Sequence, residues 1–93
     1  MAPRVSVLIT AFQAERDIDR CLHSVRAQTF GDLEVVVVDD GSTDATAAIV
    51  RRHAAADRRV RLLSLSANRG PGCGRNAGLA LCRGDWVACS WSC

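Results

Sequence analysis

Two adjacent carboxylates, Asp39 and Asp40, stand where a valine-rich run, Leu33 to Val38, breaks into the turn Gly41-Ser42-Thr43-Asp44. Four consecutive valines fit a strand buried on both faces, as central strands of parallel sheets are. Ligands of open α/β sheets sit beyond the carboxyl ends of the strands, so Asp39, Asp40 and Ser42 are candidate site residues. Thr10, Ala11 and Phe12 leave an earlier apolar run in the same way, with Glu15 just beyond them. A third group, Asn68-Arg69-Gly70 through Arg75-Asn76, follows a later run. This chemistry suits a nucleotide. A carboxylate accepts hydrogen bonds from a base imide or a ribose hydroxyl, and an aromatic ring covers the base. An arginine with a glycine-lined helix start faces a diphosphate. The competing structural account of Asp40 is that it caps the following helix.

Positioning these groups requires alternating strands and helices. Val5 to Phe12 reads as a first buried strand. Glu15 to Gln28 reads as a helix with Ile18, Cys21, Leu22 and Val25 on one face. After a connection at Thr29 to Asp32, Leu33 to Val38 is the second strand. Ser42 to Ala56 is the second helix, with Thr46, Ile49, Val50 and His53 inward, Ser42 or Thr43 as cap, and Asp44 in the first turn. Val60 to Leu65 is a third strand, Asn68 to Gly74 a glycine-rich loop, and Arg75 to Cys82 a helix. Gly84 is a stop, and a fourth strand starts at Trp86. This alternation predicts an α/β fold with a three-layer parallel sheet and right-handed crossovers.

Composition excludes several classes. The chain has 93 residues, enough for one small domain or part of one. It has no apolar run long enough to span a bilayer and no signal-peptide pattern, so the expected compartment is the cytoplasm. All twelve basic residues are arginine. Without lysine there is neither a Walker-type phosphate loop nor a receiver-type phospho-acceptor site. Gly70, Gly72, Gly74 and Gly78 miss the dinucleotide fingerprint, because Arg75 occupies its last glycine place. The arginines from Arg51 to Arg61 read as a solvated face, so no nucleic-acid partner is expected. Five cysteines with no CxxC pair argue against a disulfide or metal framework, and Cys21 and Cys82 read as small core residues. His53 reads as packed and His23 as solvated, with chemistry assigned to neither.

Four segments, VSVLITAF, RCLHSVRAQTF, LEVVVVDDGSTDAT and NRGPGCGRNAGLALCRGDWV, occur in this order. Together they resemble the N-terminal, nucleotide-binding half of family 2 glycosyltransferases, whose GT-A domain has a Rossmann-like sheet. The resemblance runs from about Val5 to Val87 and implies a nucleotide-diphosphate sugar as donor, foremost a UDP-sugar. It also implies a divalent metal, manganese or magnesium, and an acceptor hydroxyl on a glycan, lipid or protein. By position, Thr10 and Phe12 would line the base pocket with Ala11 between them, and Asp40 would contact the base. Asp39 and Ser42 would shape the turn, Glu15 would lie beside the nucleoside, and Arg75 and Asn76 would lie near the nucleotide.

Residues 1–88 are expected to form the nucleotide-sugar-binding part, truncated in or after the fourth strand. Residues 89–93, Cys-Ser-Trp-Ser-Cys, stand where the family carries its aspartate-rich metal motif and read as an aberrant or truncated tail. The metal ligands and the catalytic base are absent from this chain, so the expectation is a fragment without transferase activity of its own. The full-length parent would lie in the cytoplasm, peripheral to the inner face of the membrane. The alternative is a non-catalytic nucleotide-binding or protein-docking α/β module, whose open sheet edge is able to self-associate.

Overall fold

The computed structural model describes residues 5–27, 33–65, 71–84 and 86–91, with side chains of 71–75 and 86–91 excluded. The expected connection at Thr29 to Asp32, the loop residues Asn68 to Gly70, the Arg75 side chain and the tail side chains lie outside this set. Seven elements follow one another: β1 (Val5–Ala11), α1 (Ile18–Ala27), β2 (Leu33–Asp39), α2 (Thr46–Ala56), β3 (Val60–Ser64), α3 (Pro71–Leu81) and β4 (Trp86–Trp91). The strands form one sheet in the order β3-β2-β1-β4. Every neighbouring pair is parallel, with Val5 opposite both Leu33 and Trp86, and Val35 opposite Val60.

The valine run explains the architecture. β2 has strands on both sides and helices on both faces, so Val35, Val36, Val37 and Val38 are all fully buried. Alternation splits them: Val35 and Val37 join Ile9, Ile18, Leu22, Ile49 and Val50 beneath α1 and α2. Val36 and Val38 join Leu8 on the other face, against Leu81 and Cys82 at the end of α3. The expected three-layer parallel sheet is therefore observed. Gly78 lets α3 approach this second face, since a Cβ there would stand 2.3 Å from Leu8 Cδ1 and 2.8 Å from Val38 Cγ2.

Three helix starts differ from the sequence reading. α1 begins at Ile18 because Ala14–Asp17 form a turn in which Ala14 O accepts from the Asp17 and Ile18 N–H groups at 3.0 and 2.9 Å. α2 begins at Thr46, four residues later than expected, and Ser42 is drawn to the turn after β1. α3 begins at Pro71, so the glycine-rich stretch up to Gly74 is its first turn. Proline suits a first helical position, where its missing N–H has no intrahelical partner to lose. Cys21 packs in the core as expected, at 6% exposure, and departs from the sequence reading only in being disulfide-bonded.

The amino edge of the sheet is held by a buried acid that hydropathy patterning does not explain. Glu34 is 2% exposed. Its carboxylate accepts from Ser6 Oγ at 2.5 Å, from the Arg83 N–H at 2.5 Å and from Arg61 Nη1 at 3.0 Å. Ser6 Oγ in turn accepts from the Gly84 N–H at 2.9 Å. β1, β2, β3 and the α3–β4 connection thus converge on one carboxylate. Burial pushes the Glu34 carboxyl up, and the hydrogen bonds from Ser6, Arg83 and Arg61 outweigh it, holding the group below its ordinary range.

Candidate functional site

The chain leaves β1 and β2 side by side, because Ala11 and Asp39 are partners in the last register of that strand pair. One further hydrogen bond, from the Asp40 N–H to Ala11 O at 2.8 Å, extends the ladder past the strand ends. Beyond it both segments turn. Gly41 has φ 78°, a left-handed conformation glycine adopts without steric cost. Asp39, 3% exposed, accepts the Ser42 N–H on Oδ1 at 3.1 Å and closes this turn on itself. Asp40 is buried beside it at 4% exposure.

The turn after β1 contains Gln13, also left-handed at φ 51°. Its N–H donates to Ser42 Oγ at 2.9 Å. Its side-chain oxygen accepts the Thr43 and Asp44 N–H groups at 2.7 and 3.3 Å, and its amide nitrogen donates to Thr43 Oγ1 at 3.1 Å. One glutamine therefore stitches the two turns together. The next residues repeat the exchange: the Ala14 N–H donates to Thr46 Oγ1 at 2.9 Å, and the Glu15 N–H donates to Asp44 Oδ2 at 3.3 Å. In return, Glu15 Oε2 accepts the Ala45 N–H at 3.2 Å.

The N-cap position of α2 is Ala45, which offers no side-chain bond, and the preceding Asp44 serves the helix start instead, its Oδ1 accepting from both the Thr46 N–H and the Thr46 hydroxyl. The hydrogen bond from the Thr46 hydroxyl, opposed by burial, lowers the Asp44 carboxyl below its ordinary range. Neither Ser42 nor Thr43 caps the helix, since both are engaged by Gln13. The cap reading of Asp40 also gives way, because the N-cap position is Ala45, five residues further on.

The structure brings Thr10, Ala11, Phe12 and Glu15 together with Asp39, Asp40 and Ser42 at one sheet edge. Phe12 is 46% exposed, one of two large apolar side chains so exposed among the described residues. Thr10 is half-buried on β1, opposite Val38. The Ala11 side chain lies in the core and its carbonyl is taken by Asp40, so it supports the turn from behind. Asn76 is exposed on α3, which covers the opposite face of the sheet from α1 and α2. Sequence reasoning passed over Gln13 and placed Thr46 inward without seeing its hydrogen-bonding role. Neither type carries an ionic charge, and their role depends on a neighbour about thirty positions away.

The acids here do not make a preformed divalent-cation site. Asp39, Asp44 and Glu15 are each committed to backbone N–H donors, and β4 (WVACSW) carries no carboxylate to this edge. A hard cation on a diphosphate needs oxygen ligands, which these committed carboxylates do not offer as a set.

The arrangement matches known proteins along nearly its whole length. The family model for glycosyl transferase family 2 matches residues 6–90. The succinoglycan biosynthesis protein ExoO of Rhizobium meliloti is 48% identical over 86 residues, 92% of this chain and 24% of its own length. Chondroitin synthase of Escherichia coli is 44% identical over 85 residues, 91% of this chain and 12% of its own. Among solved structures, residues 1–349 of S. aureus TarS superpose with a TM-score of 0.88 at 35% identity, covering 96% of this chain and 27% of TarS 1–349. The mannosyltransferase PcManGT of Pyrobaculum calidifontis, in complex with GDP-Man and Mn2+, gives 0.88 at 30% identity, covering 99% of this chain and 28% of its own. The chain thus spans about a quarter or less of the length of these relatives, and it belongs to glycosyl transferase family 2.

Proposed function

We infer that this chain forms the nucleotide-binding part of a glycosyltransferase that moves a sugar from a nucleotide-diphosphate donor, foremost a UDP-sugar, to an acceptor hydroxyl. The observation that carries this reading is the stitched pair of turns. Gln13 fixes the spacing between an exposed aromatic, Phe12, and a buried carboxylate, Asp40, at the edge where α/β sheets take ligands. In this reading Phe12 covers the base, Asp40 accepts from its imide, and Thr10 closes the pocket floor. Arg75 and Asn76 face the diphosphate. Support also comes from relatives: TarS 1–349 has been solved with UDP and with UDP-GlcNAc. Glucosyl-3-phosphoglycerate synthase of Mycobacterium tuberculosis has been solved with UDP and Mn2+.

The residues of β4 do not fit a role as metal ligands, so in this reading donor binding by this chain rests on contacts of its own side chains with the base, the ribose and the diphosphate. Titration of the full chain with UDP tests the reading. Saturable binding that falls at least about tenfold in Phe12→Ala and in Asp40→Asn is the expected result, a stacking contact and a charged hydrogen bond each being worth about 1–3 kcal/mol. Self-association at rising protein concentration without UDP binding would replace this reading with a docking module built on an open sheet edge. β4 has one strand neighbour among the described residues, which keeps that outcome measurable.

A further inference from the structure

Helices α1 and α2 meet over a surface cavity of about 220 Å³ lined by Asp19, His23, Arg26, Arg52 and His53. Three of these residues offer a metal-ligating atom, and the three atoms lie within 4.8 Å of one another. His53 Nε2 is 2.7 Å from Asp19 Oδ1, and His23 Nε2 is 3.5 Å from the same oxygen. The imidazole rings stand edge-on, with centroids 4.8 Å apart. We propose that Asp19, His23 and His53 form a binding site for a late first-row divalent cation of the zinc class, clamping α1 to α2.

The donor set selects the metal. Two imidazoles and one carboxylate are the nitrogen and oxygen ligands of zinc sites, whereas magnesium and manganese prefer oxygen throughout. With bonds of about 2.0–2.1 Å, tetrahedral ligands stand about 3.4 Å apart, and side-chain shifts of about 1 Å bring this set to that spacing. The two side chains that must move are the two able to: His23 and Asp19 are 66% and 52% exposed, while His53 is packed at 4%. Three protein ligands leave a fourth position open to the cavity for water. The Asp19–His53 hydrogen bond alone explains why a histidine is tolerated in the core. It does not explain a second, exposed imidazole directed at the same carboxylate oxygen.

Arg26 sets the tautomer. Its Nη1 lies 2.9 Å from His53 Nδ1, and a guanidinium only donates, so Nδ1 accepts and Nε2 carries the proton given to Asp19. On metal binding through Nε2 that proton passes to Nδ1. Arg26 then turns wholly to Asp57, to which its Nε already donates at 3.2 Å. Arg52, whose charge acts on Asp19, opposes a cation, so affinity on the order of micromolar is expected, well short of that of a structural thiolate site.

The test is calorimetric titration of the full chain with Zn2+, paired with the visible spectrum of the Co2+ complex. One equivalent is expected, with tetrahedral d–d bands, no thiolate-to-cobalt charge transfer, and no competition from millimolar Mg2+. His23→Gln, an exposed change that leaves the core intact, should weaken binding at least about tenfold. Arg52→Gln should tighten it about two- to fivefold, as removal of one nearby like charge predicts. Unchanged affinity in His23→Gln, no binding, or charge-transfer bands placing the metal on cysteine would each overturn the proposal.

Discussion

The side-chain carbonyl of Gln13 accepts the backbone N–H of Thr43 at 2.7 Å, joining the turn after β1 to the turn after β2. With the bonds to Ser42, Thr43 Oγ1 and Asp44, one residue satisfies two backbone donors and fixes the gap between the strand-end loops. Gln13→Ala removes the side-chain acceptor and leaves alanine in a left-handed conformation it tolerates poorly. The expected cost is about 1–2 kcal/mol in a urea melt, since the turn is exposed and water takes over part of the lost bonding. UDP affinity should fall severalfold in the same variant, through loss of position rather than loss of contact. Unaltered affinity would show that the turns hold their spacing without Gln13.

Gly78 and Leu8 present a case where two principles oppose each other. A glycine inside a helix costs about 1 kcal/mol against alanine, so propensity alone makes Gly78→Ala stabilising. The added methyl would stand 2.3 Å from Leu8 Cδ1 and 2.8 Å from Val38 Cγ2, both in a fully buried layer. Overpacking of that kind costs about 1–3 kcal/mol, and the stiff valine narrows the escape routes. The expected net effect of Gly78→Ala is a loss of up to about 2 kcal/mol. Leu8→Val in the Gly78→Ala background should recover part of it, and a double-mutant cycle measures the coupling.

Much of this architecture is legible in residue types. The valine run places β2 in the middle of the sheet, and the i, i+3, i+4 apolar stripe of Ile18, Cys21 and Leu22 places the buried face of α1. The helix starts were harder to read, because Ser42, Thr43, Asp44 and Thr46 are all acceptable caps by type. What decides among them is Gln13, which occupies Ser42 and Thr43 and leaves Asp44 to the helix. No local pattern encodes that choice. The Asp19–His23 pair has an i, i+4 spacing visible in the sequence, but His53 joins it only through the packing of α2 on α1. Glu34 was hidden inside an apolar run, its three partners lying on β1, β3 and the segment after α3.

Thr46 holds the site from the inside, since its Oγ1 accepts the Ala14 N–H at 2.9 Å and its hydroxyl donates to Asp44. Thr46→Val keeps the shape and removes both bonds, leaving a buried N–H at Ala14 without its acceptor. A cost of about 1–3 kcal/mol is expected in thermal or urea unfolding. Thr46→Ser, which keeps the hydroxyl and loses one buried methyl, should cost about 1 kcal/mol and leave nucleotide affinity intact. The reverse order of these two variants would mean that packing of the methyl, and not the hydrogen bonds, is what Thr46 contributes.

The Glu34 network predicts a specific acid sensitivity. Its carboxyl is held below the ordinary range in the folded chain, burial being outweighed by the hydrogen bonds from Ser6, Arg83 and Arg61. A group whose pKa is depressed by folding contributes stability fully present above its unfolded value, about 4.3, and loses it as pH falls through the folded value. Asp57, bonded by Arg59 and Arg26, is depressed in the same direction and adds to the slope. The chain should therefore keep its urea midpoint from pH 7 to about pH 5 and lose stability progressively below about pH 4. Glu34→Gln, which retains an acceptor for Ser6 Oγ and the Arg83 N–H, should be less stable at pH 7 by about 1–3 kcal/mol. Its pH profile should be flatter than the parent's between pH 5 and pH 3, so the two curves converge in acid. Parallel curves offset by a constant amount would show that Glu34 contributes shape alone, and that the acid sensitivity resides in Asp57.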